Sequence, residues 1–193
     1  MTQTIPHLID HLEKEVDWNK VFGVVQSLYS DEGFSSSADN FARSTTVEKA
    51  LEKFSGLVRV DKNGYDFVWE DKAGDLIKIE MKMGKNLFYK QKDIHATKKF
   101  KVKSFLSEKK TVDDFKQDST YDYLLVVDLT AHRVVIVEDE TSRSLYQQGA
   151  DGAVISLKLG DYYECDIGEV TPILPEQKLS EQIQSAIDNF LNF

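Results

Sequence analysis

The chain has 193 residues, 41% of them hydrophobic and 11% aromatic, so one globular domain with its own core is expected and an intrinsically disordered chain is excluded. A single cysteine, Cys165, rules out an internal disulfide framework and a cysteine-based metal site, and no apolar run approaches the ~20 residues of a membrane helix. The net charge of −9 argues against a nucleic-acid partner, but residues 78–116 hold 12 lysines against 5 acidic residues while the remaining 154 carry −16, so a local basic patch survives the overall balance.

Ile5, Leu8, Ile9, Leu12 and Val16 recur at helical spacing, with Thr4 as a cap and Pro6 tolerated in the first turn. This N-terminal stretch mixes acidic residues into its apolar positions and lacks a signal-peptide layout, so a soluble, cytoplasmic protein is expected. Val21, Phe22, Val25 and Leu28 predict a second helix to about Tyr29, and DEGFSSSADN reads as a loop. Thr45 or Thr46 caps a third helix, with Val47, Ala50, Leu51 and Phe54 as its apolar stripe and Gly56 as its stop signal. LVRV, YDFVWE and LIKIEMKM follow as strands, separated by the turn signals DKNG and DKAGD.

Residues 84–117 are polar and basic and are predicted to be mostly helical, anchored by Phe88, Ile94, Phe100, Val102 and Phe105. YDYLLVVDL is nearly continuous in apolar, partly β-branched residues, the pattern of a strand buried on both faces. VVIVE and AVISLKL predict two more strands. Leu179, Ile183, Ala186, Ile187, Phe190 and Leu191 predict a closing amphipathic helix. The order predicts a single α/β domain over 1–193 with a central mixed sheet flanked by helices: N-terminal helices over 5–30, a core over about 45–137, and C-terminal strands and helix over 153–192.

The hairpin YDFVWEDKAGDLIKIEMK carries the chemistry. A three-residue hairpin loop ends in a residue of positive φ, for which glycine is preferred, and Lys72-Ala73-Gly74 supplies one. Counting back from that loop, Val68 meets Lys78 and Asp66 meets Glu80, with Lys82 two residues along on the same face. A two-residue Ala-Gly loop would set Asp66 against Met81 instead. Opposed carboxylates repel unless a positive charge lies between them. A divalent cation is one solution, and hard oxygen ligands favour Mg²⁺ or Mn²⁺ over Zn²⁺. The other is that Lys78 and Lys82 merely neutralise the acids on a wet sheet face. Asp66, Glu80 and Lys82 together supply the parts required for metal-assisted phosphodiester hydrolysis.

The same run resembles the active-site hairpin of the PD-(D/E)xK nuclease superfamily, which includes most type II restriction endonucleases. Asp66 matches the first acid, Glu80 the second and Lys82 the lysine, while Tyr65 stands where the pattern has proline. The resemblance covers about residues 45–130 in the order of elements, an α-β-β-β-α-β core, but only three residues in chemistry. It implies a restriction endonuclease-like fold, Mg²⁺ held by Asp66 and Glu80, a water oriented or deprotonated by Lys82, double-stranded DNA as substrate and a homodimer. Many members carry a further acid on the preceding helix; Glu48 and Glu52 are the candidates, and Glu48 lies nearer the apolar stripe. Repair, recombination and phage nucleases share the resemblance, and a DNA-binding or structural protein that has lost the metal is the alternative of another class.

Lys85, Lys90, Lys92, Lys98, Lys99, Lys101 and Lys103 are the candidate DNA-backbone contacts. Asp71 and Asp75 flank the hairpin loop and read as turn residues. His7 and His11 have the helical spacing of a zinc pair but no third ligand, and His95 and His132 stand apart.

Overall fold

The computed structural model describes residues 4–30, 37–62, 64–84, 88–89, 99–104, 120–149 and 152–172. At its centre lies the strand Tyr123–Asp128, buried at every position, as its unbroken apolar sequence requires. In chain order, helices α1 (Thr4–Lys14), α2 (Trp18–Ser30) and α3 (Ser37–Ser55) lead into strands β1 (Val58–Lys62), β2 (Tyr65–Glu70) and β3 (Leu76–Gly84). Next come β4 (Phe88–Tyr89), β5 (Lys99–Ser104), the central β6 (Tyr123–Asp128) and β7 (Arg133–Glu138). A short helix α4 (Asp139–Leu145) precedes β8 (Tyr146–Gly149), β9 (Gly152–Leu157) and β10 (Tyr163–Glu164).

Six strands form a mixed sheet in the order β1-β2-β3-β6-β7-β10, in which β3 and β6 run parallel and the other pairs antiparallel. The alternation of side chains divides the core in two. On one face, Ile79 and Met81 of β3, Leu125 and Val127 of β6 and Val134 and Ile136 of β7 pack against Leu8, Leu12, Val21, Phe22 and Leu51 of the helices. On the other, Leu124, Val126, Val135 and Val137 pack against Tyr146, Ile155 and Leu157. These last belong to a second sheet, β4-β5-β9-β8. The fold is therefore mixed α/β, with helices on one face of the main sheet and a smaller sheet on the other. Among the described residues no helix is long and apolar enough to cross a membrane.

Two expectations from the sequence are corrected. Helix α3 begins at Ser37, so residues 37–40 are helical rather than loop, and Thr45 and Thr46 lie within the helix instead of capping it; Ser, Asp and Asn also suit the first turn of a helix, and their turn-like composition hides its start. The basic segment predicted as helix contains strand β5 over Lys99–Ser104. Its period is two, and its partner β9 sets Leu157 beside Phe100 and Ile155 beside Val102. The predicted C-terminal helix over 179–191 lies outside the described residues, as do Ile94 and Phe105.

Candidate active site

The β2–β3 turn is built as the sequence demands. The Gly74 N–H donates to the Asp71 carbonyl at 3.0 Å, and Gly74 has φ 87°, a left-handed conformation suited to glycine. Asp71 Oδ1 accepts the N–H groups of Ala73 at 2.8 Å and Asp75 at 2.9 Å, so Asp71 organises the turn. The resulting register pairs Glu70 with Leu76, Trp69 with Ile77, Val68 with Lys78 and Phe67 with Ile79.

The strand pairing ends at Phe67 and Ile79, and Asp66 and Glu80 follow it, near enough for the charge of Glu80 to act on Asp66. There the Met81 N–H donates to Asp66 Oδ2 at 2.7 Å, so a side-chain carboxylate takes a donor that a strand partner would otherwise use. Lys82 forms an ion pair with Glu80. The side chains of Glu80 and Lys82 are only 15% and 24% exposed, so both are largely buried. Glu48 on α3 is 12% exposed and accepts from Arg59 Nε at 2.9 Å. Glu52, the other candidate, is exposed and accepts from the Arg59 backbone N–H at 3.3 Å.

Electrostatics tie these groups together. Burial, followed by the charge of Glu80, pushes the Asp66 carboxyl up to about 7; the Met81 N–H and Lys82 oppose the shift, and the charge of Glu48 adds to it. Between pH 4 and pH 7 folded Asp66 keeps a proton that the unfolded chain releases, so its contribution to stability is full below the unfolded value and is lost as pH rises through about 7. Asp66→Asn, which still accepts the Met81 N–H, is expected to be more stable than wild type in EDTA at pH 8 by about 1–3 kcal/mol, with little gain at pH 4. Urea unfolding at both pH values reads the gap, and a gap equal at the two would contradict this assignment.

The clip that fixes β3 against β6 is a feature the sequence reading did not single out. Asp122 Oδ2 accepts the Lys78 N–H and the Asp122 N–H donates to the Lys78 carbonyl, both at 2.8 Å. Beside it, buried Tyr121 donates its hydroxyl to Ser142 Oγ at 2.7 Å, since Ser142 itself donates to the Asp139 carbonyl at 2.9 Å. Burial chiefly raises the Tyr121 phenol above its ordinary range, and the nearby Glu80 charge adds to that. An Asp-Tyr pair opening a strand is the signal that was there to be read; its partner Ser142, on a helix 21 residues on, was not.

No family model matches the chain, and no curated protein matches it either. Among the described residues no three His, Cys, Asp or Glu side chains form a ready metal cage. Mg²⁺ is commonly held by one or two carboxylates and completed by water and phosphate oxygens, so the Asp66–Glu80 pair is a sufficient protein share. His11, of the candidate zinc pair, bonds the Ser55 carbonyl at 2.6 Å and lies 5.1 Å from the Trp69 ring, while His7 is exposed. Of the candidate DNA contacts, Lys99, Lys101 and Lys103 lie on β5, which runs close to β3. Lys85, Lys90, Lys92 and Lys98 lie outside the described residues, as does His95.

Proposed function

We propose that the chain is a Mg²⁺-dependent endonuclease of the PD-(D/E)xK type that hydrolyses DNA phosphodiester bonds, as type II restriction enzymes do. The observation that carries this reading is the end of the β2–β3 hairpin, where Asp66 accepts the Met81 N–H within the field of Glu80 and Lys82 pairs with Glu80. The element order supports it in part: α3, the antiparallel strands β1-β2-β3, then β6 parallel to β3, although strands β4 and β5 stand between β3 and β6 where the resemblance implies a helix, and residues 105–119 lie outside the described residues. The lysines of β5, close to β3, support a polyanionic substrate.

The donor set at the pair is all oxygen, which fits Mg²⁺, with Mn²⁺ as a substitute. Bound there, the ion would stabilise charge on the phosphate oxygens and acidify a coordinated water. Asp66 and Glu80 would hold it, with one Asp66 oxygen fixed by the Met81 N–H. Lys82, as the ammonium paired with Glu80, would orient the attacking water for in-line displacement of the 3′ oxygen and offset the charge developing on the phosphate, while the water's proton passes to solvent. Glu48 lends further negative charge from α3. Cleavage of both strands at a symmetric site needs two such centres, hence a homodimer acting on double-stranded DNA, in the cytoplasm. Repair, recombination or phage nucleases would use the same centre. A DNA-binding protein without catalysis is the second reading, and the Glu80–Lys82 ion pair favours it, because a sheet face neutralised in this way is stable without metal.

Plasmid DNA incubated with the protein and Mg²⁺, next to Lys82→Ala, tests the reading. Discrete bands from the wild type alone are the expected result, and a smear would mean a non-specific nuclease on the same chemistry. If neither protein cuts any DNA or RNA yet both bind it, the enzyme reading is wrong.

A further inference from the structure

Two lysines flank Glu80 on β3, and they are differently placed. Lys82 is half-buried and paired with Glu80. Lys78 is exposed, and among the described residues no carboxylate pairs with its ammonium. Its Nζ lies 5.7 Å from the centroid of the Tyr65 ring. Tyr65 immediately precedes Asp66 and packs at the edge of the second core, on the Glu80 side of the sheet. A cation over an aromatic face is held by the ring quadrupole, at a cost in freedom that its four-carbon stem would otherwise retain.

The backbone of Lys78 is also fixed, because Asp122 takes its N–H and fills its carbonyl. Lys78 and Glu80 are two strand positions apart, about 6.6 Å along the sheet and on one face. That is about the step from one phosphate to the next along a nucleic-acid strand. We propose that Lys78, held over Tyr65, binds the phosphate adjacent to the scissile one and so sets the register of the substrate strand in the site. This rests on the nuclease reading above and adds a substrate contact outside the Asp66, Glu80 and Lys82 set. The residue before the first acid then has a role of its own: Tyr65 supplies a platform that an aliphatic side chain would not.

The test is the affinity of a fluorescein-labelled 30-bp duplex of random sequence, measured by anisotropy in Ca²⁺ across a salt series. Lys78→Met is expected to weaken binding about 5- to 10-fold and to lower the slope of log K against log salt by about one. Lys78→Arg is expected to restore the slope, Tyr65→Phe to match wild type, and Tyr65→Ala to lie between wild type and Lys78→Met. In cleavage the loss should fall chiefly on KM. A Lys78→Met slope equal to that of a wild type that binds and cuts DNA would overturn this inference alone. A wild type that neither binds the duplex in a salt-dependent way nor cuts DNA would overturn it together with the nuclease reading. Lys78 is exposed, so its variants should fold, and matching urea midpoints across the Lys78 and Tyr65 variants would separate lost binding from lost structure.

Discussion

Lys82→Ala is expected to slow DNA cleavage by about 10²–10⁴-fold, the usual worth of a positioned general acid or base. Its signature should distinguish it from a damaged site. The variant removes the ammonium that pairs with Glu80, leaving Glu80 and Asp66 to face each other with less compensation. The affinity of the pair for a divalent cation should therefore hold or rise while turnover falls. Calorimetric Mg²⁺ titration beside single-turnover cleavage reads both quantities. Lost Mg²⁺ binding would make Lys82 a structural prop for Glu80, and cleavage within threefold of wild type would remove it from the chemistry.

The second large effect is expected at Gly64, in the turn that delivers Asp66. Gly64 has φ 105°, and a Cβ there would lie 1.6 Å from Thr120 Oγ1 and 2.8 Å from Thr120 Cβ. The β1–β2 turn, two residues before Asp66, is thus pressed against Thr120, three residues before β6. Gly64→Ala combines a left-handed backbone with a collision and should cost about 3 kcal/mol or more. Gly64→Ala with Thr120→Gly removes the collision and keeps the backbone strain, so about 1–2 kcal/mol of loss should persist. Urea unfolding of the two variants measures the division. A single variant within about 0.5 kcal/mol of wild type would show that the turn can move away from Thr120 freely.

How much of this was legible beforehand follows from the range of the interactions. The hairpin register was readable because Lys72-Ala73-Gly74 is a local signal, and one turn type sets every pair from Glu70–Leu76 to Phe67–Ile79. The burial of β6 was readable because an apolar strand with no polar face can only be central. Strand β5 was not, since lysine alternating with Phe100 and Val102 resembles a solvated helix until β9, more than fifty residues later, supplies Ile155 and Leu157 as partners. The second sheet as a whole is a product of such long-range pairing and could not be anticipated from local pattern. At the site, residue identities were available from the sequence. The Met81 N–H bond to Asp66 and the Arg59–Glu48 ion pair depend on where strands part and where α3 crosses, and no short window of residues encodes either.

The central claim is that Asp66 and its neighbour Glu80 support metal-dependent cleavage. Nicking of supercoiled plasmid as a function of Mg²⁺ concentration, with wild type and Asp66→Asn purified side by side, tests it most directly. The expected result is nicking that rises with Mg²⁺ to saturation in the wild type, vanishes in EDTA, and is absent from Asp66→Asn at every concentration. Nicking by Asp66→Asn equal to that of wild type, or none by either protein in Mg²⁺ or Mn²⁺, would contradict it.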